Sequence, residues 1–194
     1  MEEMEYKHML TREEYGRIGA WMDDENAPPV FVQINYYYDT GDYDLHREDV
    51  TLRIRQTEDR LLCQCKFESG RGRDNGAQAR TELEKRIGAL PTEIDPGKCF
   101  DHPQVRDLPR AHLLGCLVTE RRVYAVEPGV DVTLDRSHYL GQTDWELEIE
   151  YDENREDRAS YWYHRVCPEG GRVEGKRARF VEAHRSLIHG EDVS

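Results

Sequence analysis

The chain has 194 residues, of which 35% are charged and 37% hydrophobic, with a formal net charge of −13 at neutral pH. That surplus argues against a nucleic-acid or acidic-membrane surface, since both need a net basic footprint. No apolar run approaches the roughly 18 residues of a membrane span, and the acidic opening is unlike a signal peptide. The expectation is a cytoplasmic protein forming one domain over residues 1–194, in which any anionic ligand meets a locally positive pocket.

Residues 2–8 include Glu3-Met4-Glu5-Tyr6-Lys7, an alternation at period two. A strand here puts Glu3, Glu5 and Lys7 on one face and Met4 and Tyr6 on the other. Thr11-Arg12-Glu13-Glu14 is a capping box that opens a helix to about Met22, and Asp24 to Pro29 reads as a linker. Strands are predicted over 31–38, 50–57 and 60–67, with turns at Thr40-Gly41-Asp42 and Thr57-Glu58-Asp59. Ser69 to Gly76 is a Gly-rich connection without the Gly-Lys-Ser/Thr ending of a phosphate-cradling loop.

A strand at 80–86 leads into a Pro/Gly-punctuated stretch, Pro91 to Pro109, and a short helix before Gly115. Strands at 116–126, 130–136 and 144–152 follow, the first two joined by Glu127-Pro128-Gly129. Helices over 154–165 and 176–189 close the chain, the second capped by Gly190. The cysteines, Cys63, Cys65, Cys99, Cys116 and Cys167, include no Cys-x-x-Cys pair, so neither a disulfide framework nor a zinc knuckle is indicated. Cys63 and Cys65 are expected as small core hydrophobes. The histidines show no metal-binding spacing.

The eight predicted strands carry polar rows of complementary sign. Arg53 and Arg55 share a face, Lys66 lies on the next strand, and Glu82 and Glu84 on the one after. Glu146, Glu148 and Glu150 line one face opposite Leu147 and Ile149. Arginine outnumbers lysine by 22 to 5, as expected where planar bidentate contacts to phosphate are wanted. So many polar rows do not suit a sandwich with a dry centre. The economical solution is an α+β, mainly antiparallel fold: an eight-stranded closed β-barrel tunnel with a polar interior, flanked by helices. Its apolar faces (Met4, Tyr6, Leu52, Ile54, Leu83, Val132, Leu134, Leu147, Ile149) would pack beneath those helices. A central array of carboxylates is tolerable only among metal ions or arginines.

The Glu3-x-Glu5-x-Lys7 strand resembles the ExExK signature of the CYTH superfamily, the triphosphate tunnel metalloenzymes. That superfamily includes class IV adenylate cyclases, thiamine triphosphatases and inorganic triphosphatases. The resemblance continues through Tyr37-Tyr38-Asp39-Thr40, Leu52-Arg53-Ile54-Arg55, Lys66, Glu82, Arg121/Arg122, Leu134-Asp135 and Glu146-Leu147-Glu148. The run Ser137-His138-Tyr139-Leu140-Gly141 is most similar to the bacterial cyclase-like triphosphatase branch.

The resemblance implies catalytic and phosphate-binding roles for Lys7, Arg53, Arg55 and Lys66, with Arg121 or Arg122 as a further phosphate ligand. Lys176, Arg177 and Arg179 of the last helix either close on the phosphates or form a solvated face. Glu3, Glu5, Glu82, Asp135, Glu146, Glu148 and Glu150 are the candidate ligands of two Mg²⁺ or Mn²⁺ ions, hard cations suited to oxygen donors. Glu82, Asp135 and Glu150 have an equal alternative as partners of neighbouring arginines. The implied activity is metal-dependent hydrolysis of a short triphosphate, inorganic triphosphate first. The alternatives are adenylate cyclisation, thiamine triphosphate hydrolysis and a non-catalytic polyphosphate-binding module. The partner is a small-molecule triphosphate, with neither nucleic acid nor membrane, and a homodimer is compatible with the sequence.

Overall fold

The computed structural model describes residues 4–23, 27–58, 60–72, 78–167 and 174–190. Glu3, parts of the expected linker and of the Gly-rich loop lie outside them, and side chains are described for neither 69–72 nor 78–80. The described residues form nine strands and six helices in the order β1(Met4–Leu10), α1(Arg12–Asp23), β2(Phe31–Asp39), α2(Asp44–Arg47), β3(Thr51–Thr57), β4(Arg60–Gly72), β5(Gln78–Ile87), β6(Glu93–Ile94), α3(Pro96–Cys99), α4(Pro103–Arg106), β7(Ala111–Glu127), β8(Val130–Tyr139), β9(Gln142–Tyr151), α5(Glu156–Val166) and α6(Lys176–His189). None of these helices is long and apolar enough to cross a membrane.

The chain divides into two compact units. The first takes residues 33–118 and the C-terminal segment from Lys176. Its strand order is β7-β2-β3-β4-β5, with the short β6 on β7. The apolar side chains of β3 and β4, Leu52, Ile54, Cys63, Cys65 and Phe67, form one buried cluster with Leu45, Val50, Ile94, Phe100 and Val105. That places the 94–105 excursion over one face of the sheet and leaves the alternate residues, Arg53, Arg55, Gln64 and Lys66, on the other. On this polar face Asn35 is opposite Arg55, Tyr37 opposite Arg53, Arg53 opposite Gln64, Gln64 opposite Glu84 and Lys66 opposite Glu82.

Three elements of this unit differ from the sequence reading. The helix expected just before Gly115 is replaced by α3 and α4, each with proline in its first turn after Asp95 and His102, and Gly115 lies inside β7. Proline there is a start signal, because the amide it lacks would have no helical partner anyway. The loop assigned to Ser69–Gly76 is entered by β4, which continues to Gly72 opposite Gln78 beyond a register shift. Helix α2 had no local capping signal. Its amides are met from upstream by the buried Asp39 carboxylate, which accepts from the Leu45 and His46 N–H groups at 2.8 and 2.9 Å and from Thr40 at 2.8 Å. Asp39 thus closes the Tyr-Tyr-Asp-Thr segment as a structural clamp, although burial pushes its pKa up.

The second unit takes residues 3–32 and 119–175, in the strand order β1-β9-β8-β7. Thr11 and Glu14 form the expected capping box of α1, exchanging bonds of 2.8 and 3.2 Å. Strands β8 and β9 form a hairpin whose turn residues Leu140 and Gly141 both have positive φ, 46° and 80°, the conformation that matches strand twist in a two-residue turn. One face buries Met4, Leu10, Val132, Leu134, Leu147 and Ile149, covered by α1 and α5. Tyr6 stacks there on Tyr151, with ring centroids 5.4 Å apart.

The mainly antiparallel α+β character is as expected, but closure is not. Among the described residues the strand path is open, with β1 next to β9 alone and β5 next to β4 alone.

Candidate active site

The polar face of the second unit carries an acidic cluster pinned by two cations. The β1–β9 register sets Glu5 opposite Glu150 and Lys7 opposite Glu148, and the β8–β9 register sets Asp135 opposite Glu146. Lys7 Nζ lies 3.1 Å from both Glu5 and Glu148. Arg121 of β7 donates from Nε and a terminal nitrogen to the two oxygens of Asp135 at 2.8 and 2.7 Å, also bonds Glu148, and reaches Glu150 at 3.3 Å. Burial disfavours the guanidinium charge, yet Glu148, Asp135 and Glu150 outweigh it and hold the Arg121 pKa above its ordinary value.

One oxygen from each of Glu5, Glu148 and Glu150 lies within 4.8 Å of the other two. Three carboxylates converging this closely, with only oxygen donors, fit a hard divalent cation. Glu146 lies on the same face and is almost fully buried. Glu3, two residues before Glu5, is outside the described residues.

The first unit carries a basic cluster built differently. Arg53 Nε donates to Gln64 Oε1 at 2.8 Å, and Gln64 Nε2 donates onward to Glu84 at 2.7 Å. Arg55 Nε donates to Asn35 Oδ1 at 3.1 Å. Glu82 lies 3.9 Å from Arg53 and 3.8 Å from Lys66, ion-pair distances too long for hydrogen bonds, and its buried Oε2 accepts none. The structure therefore brings Arg53, Arg55, Lys66 and Glu82 onto one face.

Of the two adjacent arginines left open by the sequence, Arg121 joins the acidic cluster. Arg122 faces the other way and is a correction to the candidate list: it binds Asp23 at the end of α1 at 2.8 Å. Arg177 is engaged in a brace from α6 to the α2–β3 turn, donating to the Val50 carbonyl at 2.8 Å and pairing with Asp49 at 2.5 Å. Lys176 begins the same helix. Phe180, one turn on, rests against Tyr37 with centroids 5.0 Å apart. Asn35 and Gln64, both buried, were missed by the sequence reading. Gln33 and Asn35 alternate with Ile34 and Tyr36 as the charged rows alternate with their neighbours, but a search for charge passes over amides.

Residues 1–160 match the CYTH domain, and the chain belongs to that family. It is 28% identical over 159 residues, 82% of each chain, to YjbK of Bacillus subtilis (strain 168), named as a candidate triphosphatase. Among solved structures, it superposes on a candidate adenylate cyclase of Bacillus halodurans with a TM-score of 0.70 at 22% identity, over 92% of this chain and 96% of that one. It superposes on HpAC1 of Hippeastrum, a candidate adenylyl cyclase described as having a dominant triphosphatase activity, with a TM-score of 0.68 at 20% identity, covering 93% and 95%. At these identities the structural likeness concerns the fold.

Proposed function

We propose that this chain is a divalent-metal-dependent hydrolase of a short triphosphate, with inorganic triphosphate preferred over thiamine triphosphate and nucleotides. The observation that carries the reading is the convergence of Glu5, Glu148 and Glu150 within 4.8 Å beside Lys7 and Arg121. Family membership and a relative named as a candidate triphosphatase support the hydrolase role, and CYTH proteins are generally metal-dependent.

Glu5, Glu148 and Glu150 would hold Mg²⁺ or Mn²⁺, with Glu3, Glu146, Asp135 and Glu82 as further carboxylates, for two ions in all. Bound there, the ions would neutralise phosphate charge and acidify water. The remaining work belongs to the protein's own side chains. Arg53 and Arg55 grip phosphate oxygens as forks and Lys66 adds a point charge. Lys7 keeps Glu5 and Glu148 apart from mutual repulsion and aligned. Water adds to the terminal phosphorus, the phosphoanhydride bond breaks and pyrophosphate leaves, a reaction governed by positioning and charge neutralisation.

A panel of inorganic triphosphate, thiamine triphosphate and ATP, assayed with Mg²⁺, with Mn²⁺ and with EDTA, tests it. The expected result is metal-dependent release of phosphate and pyrophosphate from inorganic triphosphate at the highest kcat/KM, abolished by Glu5→Gln with the fold intact. Robust cyclic AMP formation from ATP with negligible triphosphate hydrolysis would replace this reading by the cyclase.

A further inference from the structure

Helix α5 carries its buried residues, Ala159 and Val166, on one side and leaves Asp157, Tyr161 and Arg165 exposed on the other. These three positions recur every four residues, so they form one stripe along the helix: an acid, an aromatic ring and a base. The stripe is ordered from within the second unit. Arg165 donates to the Tyr161 hydroxyl at 3.1 Å, and its guanidinium lies over the rings of Trp21 in α1 and Trp162, 5.3 and 5.9 Å from their centroids. Arg158 lies over the Tyr161 ring at 4.7 Å. Trp21 and Tyr161 are nonetheless 48% and 45% exposed, and the candidate active site uses neither. Exposed Trp, Tyr and Arg side chains gathered in one place have the composition of an interface centre. Side chains already held in place lose less freedom on association.

The order of charges selects the partner. In a twofold-symmetric contact, residue i of one copy meets residue j of the other, and j meets i. Asp157 and Arg165 each lie four positions from Tyr161. Two α5 helices crossing antiparallel about an axis at Tyr161 therefore bring Asp157 of each copy to Arg165 of the other. A parallel crossing would set acid on acid and base on base.

We propose that the face formed by Trp21, Tyr161 and Arg165 is a homodimer interface, in which α5 packs antiparallel on the α5 of a second copy of this chain. Tyr161 meets Tyr161 at the centre, and reciprocal pairs of Asp157 with Arg165 flank it. The proposal is independent of the hydrolase reading, since none of these residues belongs to the candidate active site.

Sedimentation velocity on the full chain over a concentration series, with a melting curve for each variant, tests it. The wild type should pass from monomer to dimer as concentration rises. Asp157→Arg and Arg165→Asp each set like charges opposite one another at two points, and each should weaken self-association about tenfold or more. An equimolar mixture of these two variants should dimerise as the wild type does, because each supplies the charge that the other lacks. Tyr161→Glu should abolish the dimer. A wild type that stays monomeric at every concentration overturns the proposal and leaves this face to a different partner. A dimer that none of the three substitutions weakens uses another surface and overturns it equally. Should Tyr161→Glu lose its fold, the mixture decides, and a mixture that stays monomeric refutes the antiparallel contact.

Discussion

Replacing Arg121 by alanine tests how the acidic face is held together. The guanidinium meets Asp135 and Glu148, whose side chains are 0% and 4% exposed, while its third partner, Glu150, is 49% exposed and contributes little. Removing one partner from a buried ionic pair leaves desolvated charge uncompensated and costs about 3–5 kcal/mol. At this chain length each kcal/mol moves Tm by about 2–4 °C, so the variant should melt roughly 6–20 °C below wild type. Millimolar Mg²⁺ or Mn²⁺ should narrow the deficit, by supplying the missing positive charge. Thermal melts of both proteins across metal concentration give both readouts. A loss below about 1 kcal/mol, flat in metal, would refute the account of Arg121 as the counter-charge of this face.

Arg53→Lys and Arg55→Lys should each weaken triphosphate binding by about 1–3 kcal/mol despite the retained charge, because an ammonium cannot form the fork; unchanged KM and Kd would make these arginines structural. Glu127 is gripped by Arg158 and bonded by Trp162, and its pKa is drawn down to about 2. The contribution of this grip to stability should therefore be complete above the ordinary glutamate range and fade as pH falls towards 2, followed by the Glu127 carboxyl resonance and compared with Arg158→Ala. Burial pushes the Cys63 and Cys65 thiols up to about 12, whereas Cys116 is exposed. A thiol reagent at pH 8 should label Cys116 in the native protein and reach Cys63 and Cys65 only after denaturation, as peptide mapping would show.

The strands and their faces were legible because charged and apolar residues alternate at the backbone's own period, and Thr11 and Glu14 carry a capping signal confined to four residues. Where structure depends on distant atoms the pattern was silent. Helix α2 is capped by Asp39 from five positions upstream, and nothing local to Asp44 announces it. Helices α3 and α4 were hidden by prolines read as breakers rather than starts. The choice between Arg121 and Arg122 was not decidable by alternation, since β7 is polar on both sides, with Asp23 waiting for Arg122 and Asp135 for Arg121. The convergence of Glu5, Glu148 and Glu150 needed the β1–β9 register, which joins the two ends of the family match.

That register also orders events in time. Arg121 is only 14 positions from Asp135, and the β8–β9 hairpin closes through a two-residue turn, so the carboxylates of 135, 146 and 148 can assemble with their counter-charge through short loops. Lys7 and Glu5 arrive across a separation of 141 residues from Lys7 to Glu148, the slow kind of contact. The three-carboxylate set therefore comes into being only when β1 docks against β9. On the metal-binding role proposed above, divalent-ion affinity would report completed folding: an intermediate with β7, β8 and β9 in place would already display strand structure and an acidic face, yet would lack the carboxylate of Glu5.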